Sequence, residues 1–118
     1  MKVSGSGVIP LMRRYFAYQL RMMESRPLKE WAVFRWGDEL ISVLWLYNRT
    51  GDTSLLDLAR KLRDQGHDWK GQFANFAFTS KVNQQQLTLA THVVNNAMAI
   101  KAPGVWWQQS ISRDSVAC

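Results

Sequence analysis

The sequence predicts an all-α fold, built from several antiparallel helical hairpins with short turns between them. Apolar residues recur three or four positions apart in several segments, which is the spacing of one face of an α-helix. Proline and glycine stand near the ends of these segments, where they start and stop helices. No segment alternates apolar and polar residues convincingly, so no β-strand is predicted.

The first predicted helix covers residues 10 to about 23, and its apolar residues form one stripe between arginines. Pro10 suits the first turn of this helix, and Pro27 breaks the pattern after it. Residues 1–9 are rich in glycine and serine, and we expect them to be a flexible lead-in. Residues 10–118 are expected to form a single, partial helical domain.

The second predicted helix, over residues 38–48, is apolar at almost every position. A helix that is apolar on nearly all sides is normally buried by several neighbours. This chain supplies few such neighbours, so the sequence looks like part of something larger. Gly51 fits the left-handed position after this helix, and Asp52 can cap the next one.

The third predicted helix covers about residues 53–65 and ends at Gly66. One face of it is apolar, made by Leu55, Leu58, Ala59 and Leu62. The charged residues on its other faces are expected to form surface ion pairs and not a catalytic pair of carboxylates. These are Asp57, Arg60, Lys61, Arg63 and Asp64.

After Gly66 the helical spacing fails as far as Thr88. We predict a long, irregular connection over residues 66–88, rich in aromatic residues, of a type that tends to serve function. A helix is predicted to resume over about residues 89–101, and Pro103 starts a further one.

Composition argues against several classes of protein. With 47% hydrophobic and 20% charged residues, the chain is neither disordered nor a membrane protein by composition. The net charge of +6 is scattered, so no nucleic-acid partner is expected, although a basic helical module is a third alternative. The N-terminal residues lack the apolar core of a signal peptide, and no apolar run could span a membrane. As written, the chain is expected to be cytoplasmic, with no membrane partner.

Several segments, taken together, resemble one known family. They are SRPLKEW (residues 25–31), RWGD (35–38), WLYNRTGD (45–52), LLDLA (55–59), GHDWK (66–70) and THVVNNAMAIKAPGVW (91–106). The family is the β-L-arabinofuranosidase-like group, glycoside hydrolase family 127 and its relatives. The segments occur in the family's order and spacing, and the resemblance covers about residues 8–110.

The resemblance implies an (α/α)6 barrel around a central sugar pocket, of which this chain would supply a few helices from the first part. Family members are similar in using a cysteine nucleophile near a zinc ion, with a glutamate as general acid/base. Those residues lie in a Gly-Met-Phe/Asp-Glu block and a Glu-Leu-Cys block, and neither block occurs in this sequence. Cys118 has no Glu-Leu before it, so no catalytic residue and no cofactor is assigned to this chain. Zinc is implied only for longer relatives.

The candidate substrate-binding residues are His92, Asp38, Trp36 and Asn95; the resemblance implies that the histidine matching His92 lines the sugar pocket and that some relatives have a sugar-contacting polar residue at the place of Asp38. His92 begins a predicted helix, where an imidazole can donate a hydrogen bond to a sugar hydroxyl; a capping or core histidine is the alternative. Asp38 could accept hydrogen bonds from vicinal hydroxyls or cap the second helix. Trp36, with Trp31, could form a stacking wall or simply pack between helices. Asn95 could extend the polar patch of His92 or form an interhelical hydrogen bond.

The family pattern His-Gly-Val-Asn reads His92-Val93-Val94-Asn95 in this chain. A β-branched residue in place of glycine is expected to crowd the pocket wall or a close helix contact.

Two functions follow from these observations. The first is a fragment of a β-L-arabinofuranosidase-like glycoside hydrolase that binds carbohydrate but is inactive by itself. The alternative is a non-catalytic helical module that binds carbohydrate or a protein partner. In either case helix faces meant for neighbours would be uncovered, so self-association is expected.

Overall fold

The structure, a computed structural model, describes residues 7–116 and the side chains of residues 7–109. Within that range it contains no β-strand, and the predicted all-α class is confirmed. The helices are α1 (Val8–Met22), α2 (Trp31–Phe34), α3 (Trp36–Thr50), α4 (Ser54–Gln65), α5 (Trp69–Ala74), α6 (Val93–Ala99) and α7 (Ala102–Val116), with a 3-10 turn at Gln84–Gln86. None of the helices in this part of the chain combines the length and the apolar character needed to cross a bilayer.

The first helix begins at Val8, two residues before the predicted start at Pro10. Pro10 therefore lies inside the first turn, where its missing N–H would have had no helical partner. Residues 1–6 of the predicted lead-in lie outside the described residues, and so does Cys118. The buried side chains of Phe16 and Met23 attach this segment to the core.

The turn between α3 and α4 has the predicted local geometry. Gly51 has φ 68° and ψ 12°, a left-handed conformation that glycine adopts without steric cost, and its N–H donates to the Tyr47 carbonyl at 2.8 Å. Asp52 accepts a hydrogen bond from the Ser54 backbone N–H at 3.0 Å, at the start of α4. Hydrogen bonds from Ser54 lower the pKa of Asp52 below its ordinary value.

Helices α3 and α4 pack against each other as an antiparallel hairpin, and α1 lies across both. The apolar face predicted for α4 is confirmed, because Leu55, Leu58, Ala59 and Leu62 are all buried. On the other side α7 returns to the start of α3. There the two backbones approach closely, because a Cβ on Gly37 would lie 3.0 Å from the Cβ of Ala102.

The neighbouring helices in the described part of the chain bury only part of the surface of α3. Leu40, Val43 and Leu46 are fully buried, but Ile41 and Trp45 are 43% and 38% exposed. Six residues of α3 are nevertheless buried within the chain, and the expectation that the chain supplies few partners for this helix stays a prediction. The helix starts at Trp36, so Asp38 lies in its first turn and not at its cap.

The prediction of an irregular connection over residues 66–88 was partly wrong, because α5 forms within it. The Asp68 carboxylate accepts the Gly71 N–H at 3.0 Å and caps the helix. Trp69 is buried and stacks on Phe73, one turn later, with 5.7 Å between ring centroids. The helix predicted over residues 89–101 is also shorter than expected, since Leu89 to Thr91 form a turn before α6.

A partly buried carboxyl on α3 predicts a pH dependence of stability. Burial raises the pKa of Glu39 above its ordinary value of 4.5, and a hydrogen bond with Gln19 offsets part of this. The folded state then favours the protonated form. Stability from this group is present below pH 4.5 and is lost as the pH rises through the raised pKa.

We therefore expect Glu39→Gln to be more stable than the parent at pH 7 and to have a flatter profile of unfolding free energy between pH 4 and 7. Urea unfolding at several pH values measures this. Glu24→Gln is the matched control, because the Glu24 side chain is 82% exposed. Parallel profiles for Glu39→Gln and the parent would contradict the assignment.

Candidate functional site

Two of the predicted site residues meet where α2 approaches the start of α6. His92 and Asn95 lie there with Trp31 and Arg35, and we call these four residues the His92 cluster. His92 caps α6, because its Nδ1 accepts the backbone N–H of Asn95 at 3.4 Å. A neutral imidazole whose Nδ1 accepts carries its proton on Nε2. His92 can therefore donate a hydrogen bond from Nε2.

Trp31 forms the aromatic part of the cluster. Its indole meets the His92 ring edge to face, with 5.2 Å between centroids and 89° between planes. The Arg35 guanidinium lies over the same indole at 4.6 Å from its centroid. These two contacts fix the ring although Trp31 is 44% exposed. The residue before it, Glu30, has φ 49°, a conformation that L-residues rarely adopt.

Asn95 is fully buried, and both ends of its amide are used within the protein. Its Oδ1 accepts from Arg35 Nε at 2.9 Å, and its Nδ2 donates to the Leu89 carbonyl at 2.9 Å. The first bond joins the α2–α3 segment to α6, as the structural alternative for this residue anticipated. Asn95 thus holds Arg35 in place beside Trp31 and His92.

The other two predicted site residues lie elsewhere. Asp38 forms an ion pair with Lys101 in the segment between α6 and α7. Trp36 is 6% exposed, and its Nε1 donates to the His67 carbonyl at 3.0 Å. In the described part of the chain neither residue makes a hydrogen bond, ion pair or ring contact with His92. The predicted residues therefore do not form one continuous site.

The expectation that Val93 crowds the pocket wall or a helix contact was wrong for the described chain. Val93 is 76% exposed, because His92 ends the preceding turn and α6 presents its first residue to solvent. The neighbouring Val94 is 47% exposed. Val93 therefore leaves the His92 cluster uncrowded.

Sequence reasoning missed Arg35 and Gln72. Arg35 lies four positions after Trp31, which is the spacing at which side chains on a helix meet, and this spacing was the available signal. Gln72 Nε2 donates to the Ala90 carbonyl at 3.1 Å and to Asn96 Oδ1 at 2.9 Å, while its Oε1 accepts from His67 Nε2 at 2.6 Å. Gln72 therefore connects α5 to the turn that precedes His92.

Comparisons of the chain with protein-family models, curated proteins and solved structures found no match.

A zinc centre would need several His, Cys, Asp or Glu side chains close together. Within residues 7–116 no three His, Cys, Asp or Glu side chains come together as metal ligands.

The His92 cluster places hydrogen-bond donors beside an indole but lacks an acid/base pair. It contains a partly exposed indole, the Nε2–H of His92 and the guanidinium of Arg35, which lies over the indole and whose two Nη groups take no part in the bond to Asn95. Glycoside hydrolysis needs two carboxyl groups on opposite sides of one bond. None of these four side chains is a carboxylate.

Proposed function

We propose that this chain forms part of an (α/α)6 barrel of a β-L-arabinofuranosidase-like glycoside hydrolase, binds the sugar, and has no hydrolytic activity by itself. One observation carries the proposal. His92 and Trp31 are in edge-to-face contact at 5.2 Å, although they are 61 positions apart and belong to two different segments of the family resemblance. An aromatic ring beside hydrogen-bond donors is a combination found in sugar-binding sites.

In this proposal the apolar C–H face of the sugar lies on Trp31, and sugar hydroxyls accept hydrogen bonds from His92 Nε2 and Arg35. Asn95 acts as a positioning residue through Arg35. Asp38 and Trp36 stay outside this subsite, because Asp38 pairs with Lys101 and the Trp36 N–H is bonded to a backbone carbonyl.

The uncovered helix faces support the barrel part of the proposal. Ile41 and Trp45 on α3 are substantially exposed, and so are the apolar and aromatic residues along one side of α1. The latter are Val8, Leu11, Tyr15 and Tyr18, with exposures of 47–60%. In a barrel such faces lie against neighbouring helices, and in the isolated chain they favour self-association.

The stripe on α1 also favours the second candidate function, a non-catalytic module that binds a protein through this face. Its apolar residues recur at helical spacing and share the helix with Arg14 and Arg21, both exposed. Replacing Leu11 and Tyr15 together with serine separates the two candidates. If this double variant loses binding to a protein partner but still binds sugar, the result favours the non-catalytic binding module.

Truncating His92 is expected to weaken sugar binding. We expect His92→Ala to reduce the affinity for methyl β-L-arabinofuranoside about tenfold or more, since a lost hydrogen bond to sugar is worth about 1.4 kcal/mol or more. Isothermal titration calorimetry measures this, and the parent is expected to bind in roughly the millimolar range because only part of the pocket is present.

The matched control is Val93→Ala, the next residue, which is 76% exposed and should bind as the parent does. Equal affinity of His92→Ala and the parent would remove His92 from the sugar subsite. Turnover of an aryl arabinofuranoside by the pure chain would contradict the proposed lack of activity.

A further inference from the structure

A second concave surface lies away from the His92 cluster. It is a cavity of about 530 Å³ between the end of α4, the start of α5 and the first turns of α7. That volume falls within the range of small-molecule sites. We call it the tryptophan groove; the lining residues that matter here are Arg63, Asp64, Asp68, Lys70, Trp106 and Trp107. No residue of the His92 cluster lines it.

The groove has aromatic walls held in place by other contacts. The Arg63 guanidinium lies over the Trp106 ring at 4.2 Å from its centroid. Trp107 is 63% exposed where it lines the groove. Below them the Trp36 indole is fixed by its hydrogen bond to the His67 carbonyl at 3.0 Å. A ligand entering the groove therefore meets pre-positioned indole surfaces.

The charged groups of the groove are balanced. Two acidic residues, Asp64 and Asp68, and two basic residues, Arg63 and Lys70, line the groove. An anionic ligand would meet two carboxylates, and a cationic ligand would meet two cations. A neutral polyol can use both kinds of group, because its hydroxyls donate to carboxylates and accept from Arg and Lys.

Some of the charged side chains that line the groove are already oriented by contacts within the protein. Asp68 Oδ1 accepts the Gly71 N–H at 3.0 Å, which fixes the carboxylate at the cap of α5. Asp64 Oδ1 lies 3.5 Å from Arg63 Nη2, so the guanidinium is held between a carboxylate and an indole. Oriented polar groups beside aromatic faces lower the entropic cost of binding.

We infer that the tryptophan groove is a second saccharide site, which takes one or two neutral sugar rings by stacking on Trp106 and Trp107. The choice of carbohydrate rests in part on the proposed function, whereas the groove consists of side chains that the His92 cluster does not use. The two sites can therefore be tested separately.

The test is a titration of the full chain with arabinobiose, a neutral disaccharide of arabinose, followed by the indole N–H resonances in ¹H–¹⁵N NMR spectra. The resonances of Trp106 and Trp107 are expected to shift saturably. Trp106→Ala should weaken binding at the groove about tenfold, which corresponds to a loss of about 1.4 kcal/mol of stacking on the aromatic ring. Glucuronic acid and glucosamine, as charged sugars, are expected to bind more weakly.

Trp45→Ala is the matched control, because Arg49 lies over Trp45 at 3.9 Å in the same kind of pair, outside the groove. Since Trp106 is partly buried, the double variant Asp64→Ala, Lys70→Ala provides a second test at exposed positions and should also lose affinity. His92→Ala should leave the shifts of Trp106 and Trp107 unchanged.

Unchanged groove resonances, or full affinity in both groove variants, would overturn the inference even if the His92 cluster binds sugar. Shifts of the Trp106 and Trp107 indole resonances that persist in His92→Ala would support it, whether or not the Trp31 resonance shifts. Tighter binding of either charged sugar than of arabinobiose would also overturn it.

Discussion

Replacing Gly66 with alanine is expected to destabilise the protein by about 2–4 kcal/mol. The added Cβ would lie well inside van der Waals distance of the Trp36 indole, chiefly of Cδ1. The backbone of Gly66, with φ −77° and ψ 160°, suits any residue, so the cost is steric. Trp36 is buried and cannot move away without losing the hydrogen bond from its Nε1 to the His67 carbonyl.

Urea unfolding measures the effect, and Gly104→Ala is the control. A Cβ at Gly104 meets nothing within 4 Å, and alanine favours the helix there, so this variant should match or slightly exceed the parent. The double variant Trp36→Leu, Gly66→Ala should lose less free energy than the sum of the single changes, because leucine removes the clash. An unchanged unfolding midpoint for Gly66→Ala would show that the close packing of Trp36 on Gly66 is wrong.

The second large effect is expected at Asn95. Asn95→Ala should destabilise the protein by about 2–4 kcal/mol, because it leaves two groups without partners, Arg35 Nε and the Leu89 carbonyl. Both bonds lie in a partly buried region, and Asn95 itself is fully buried. The same change should weaken sugar binding, because Arg35 is then no longer held beside Trp31.

Thermal unfolding followed by circular dichroism tests the stability of this variant. Asn48→Ala, an exposed asparagine on α3, is the matched control and should change stability by less than about 0.5 kcal/mol. If Asn95→Ala unfolds at the same temperature as Asn48→Ala, the amide of Asn95 does not join α6 to the α2–α3 segment.

The parts of the fold that depend on local interactions could be predicted from the sequence. The left-handed Gly51, and Asp52, which accepts the Ser54 N–H, mark the turn between α3 and α4 within a few residues of chain. The apolar face of α4 follows from residue spacing alone. Short-range preferences of this kind act wherever the segment lies in the fold.

Helix α5 was missed because Gly71 and the surrounding polar residues hid two helix signals. One was Asp68 in the capping position, and the other was the pair Trp69 and Phe73 at a spacing of four.

The two candidate sites were harder to predict from the sequence than α5. The bond between Arg35 and Asn95 joins residues 60 positions apart, and the tryptophan groove combines side chains from α4, α5 and α7. Such contacts depend on how the helices pack, which residue spacing does not specify.

Sugar binding by the proposed His92 cluster can be tested with one NMR titration. Methyl β-L-arabinofuranoside is added to the ¹⁵N-labelled full chain, and the indole resonance of Trp31 and the imidazole resonances of His92 are followed. We expect both resonances to shift together along one saturable curve, while the indole resonance of Trp45, on the exposed face of α3, does not shift. A dispersed, folded spectrum in which Trp31 and His92 stay unchanged to saturating sugar would contradict the claim.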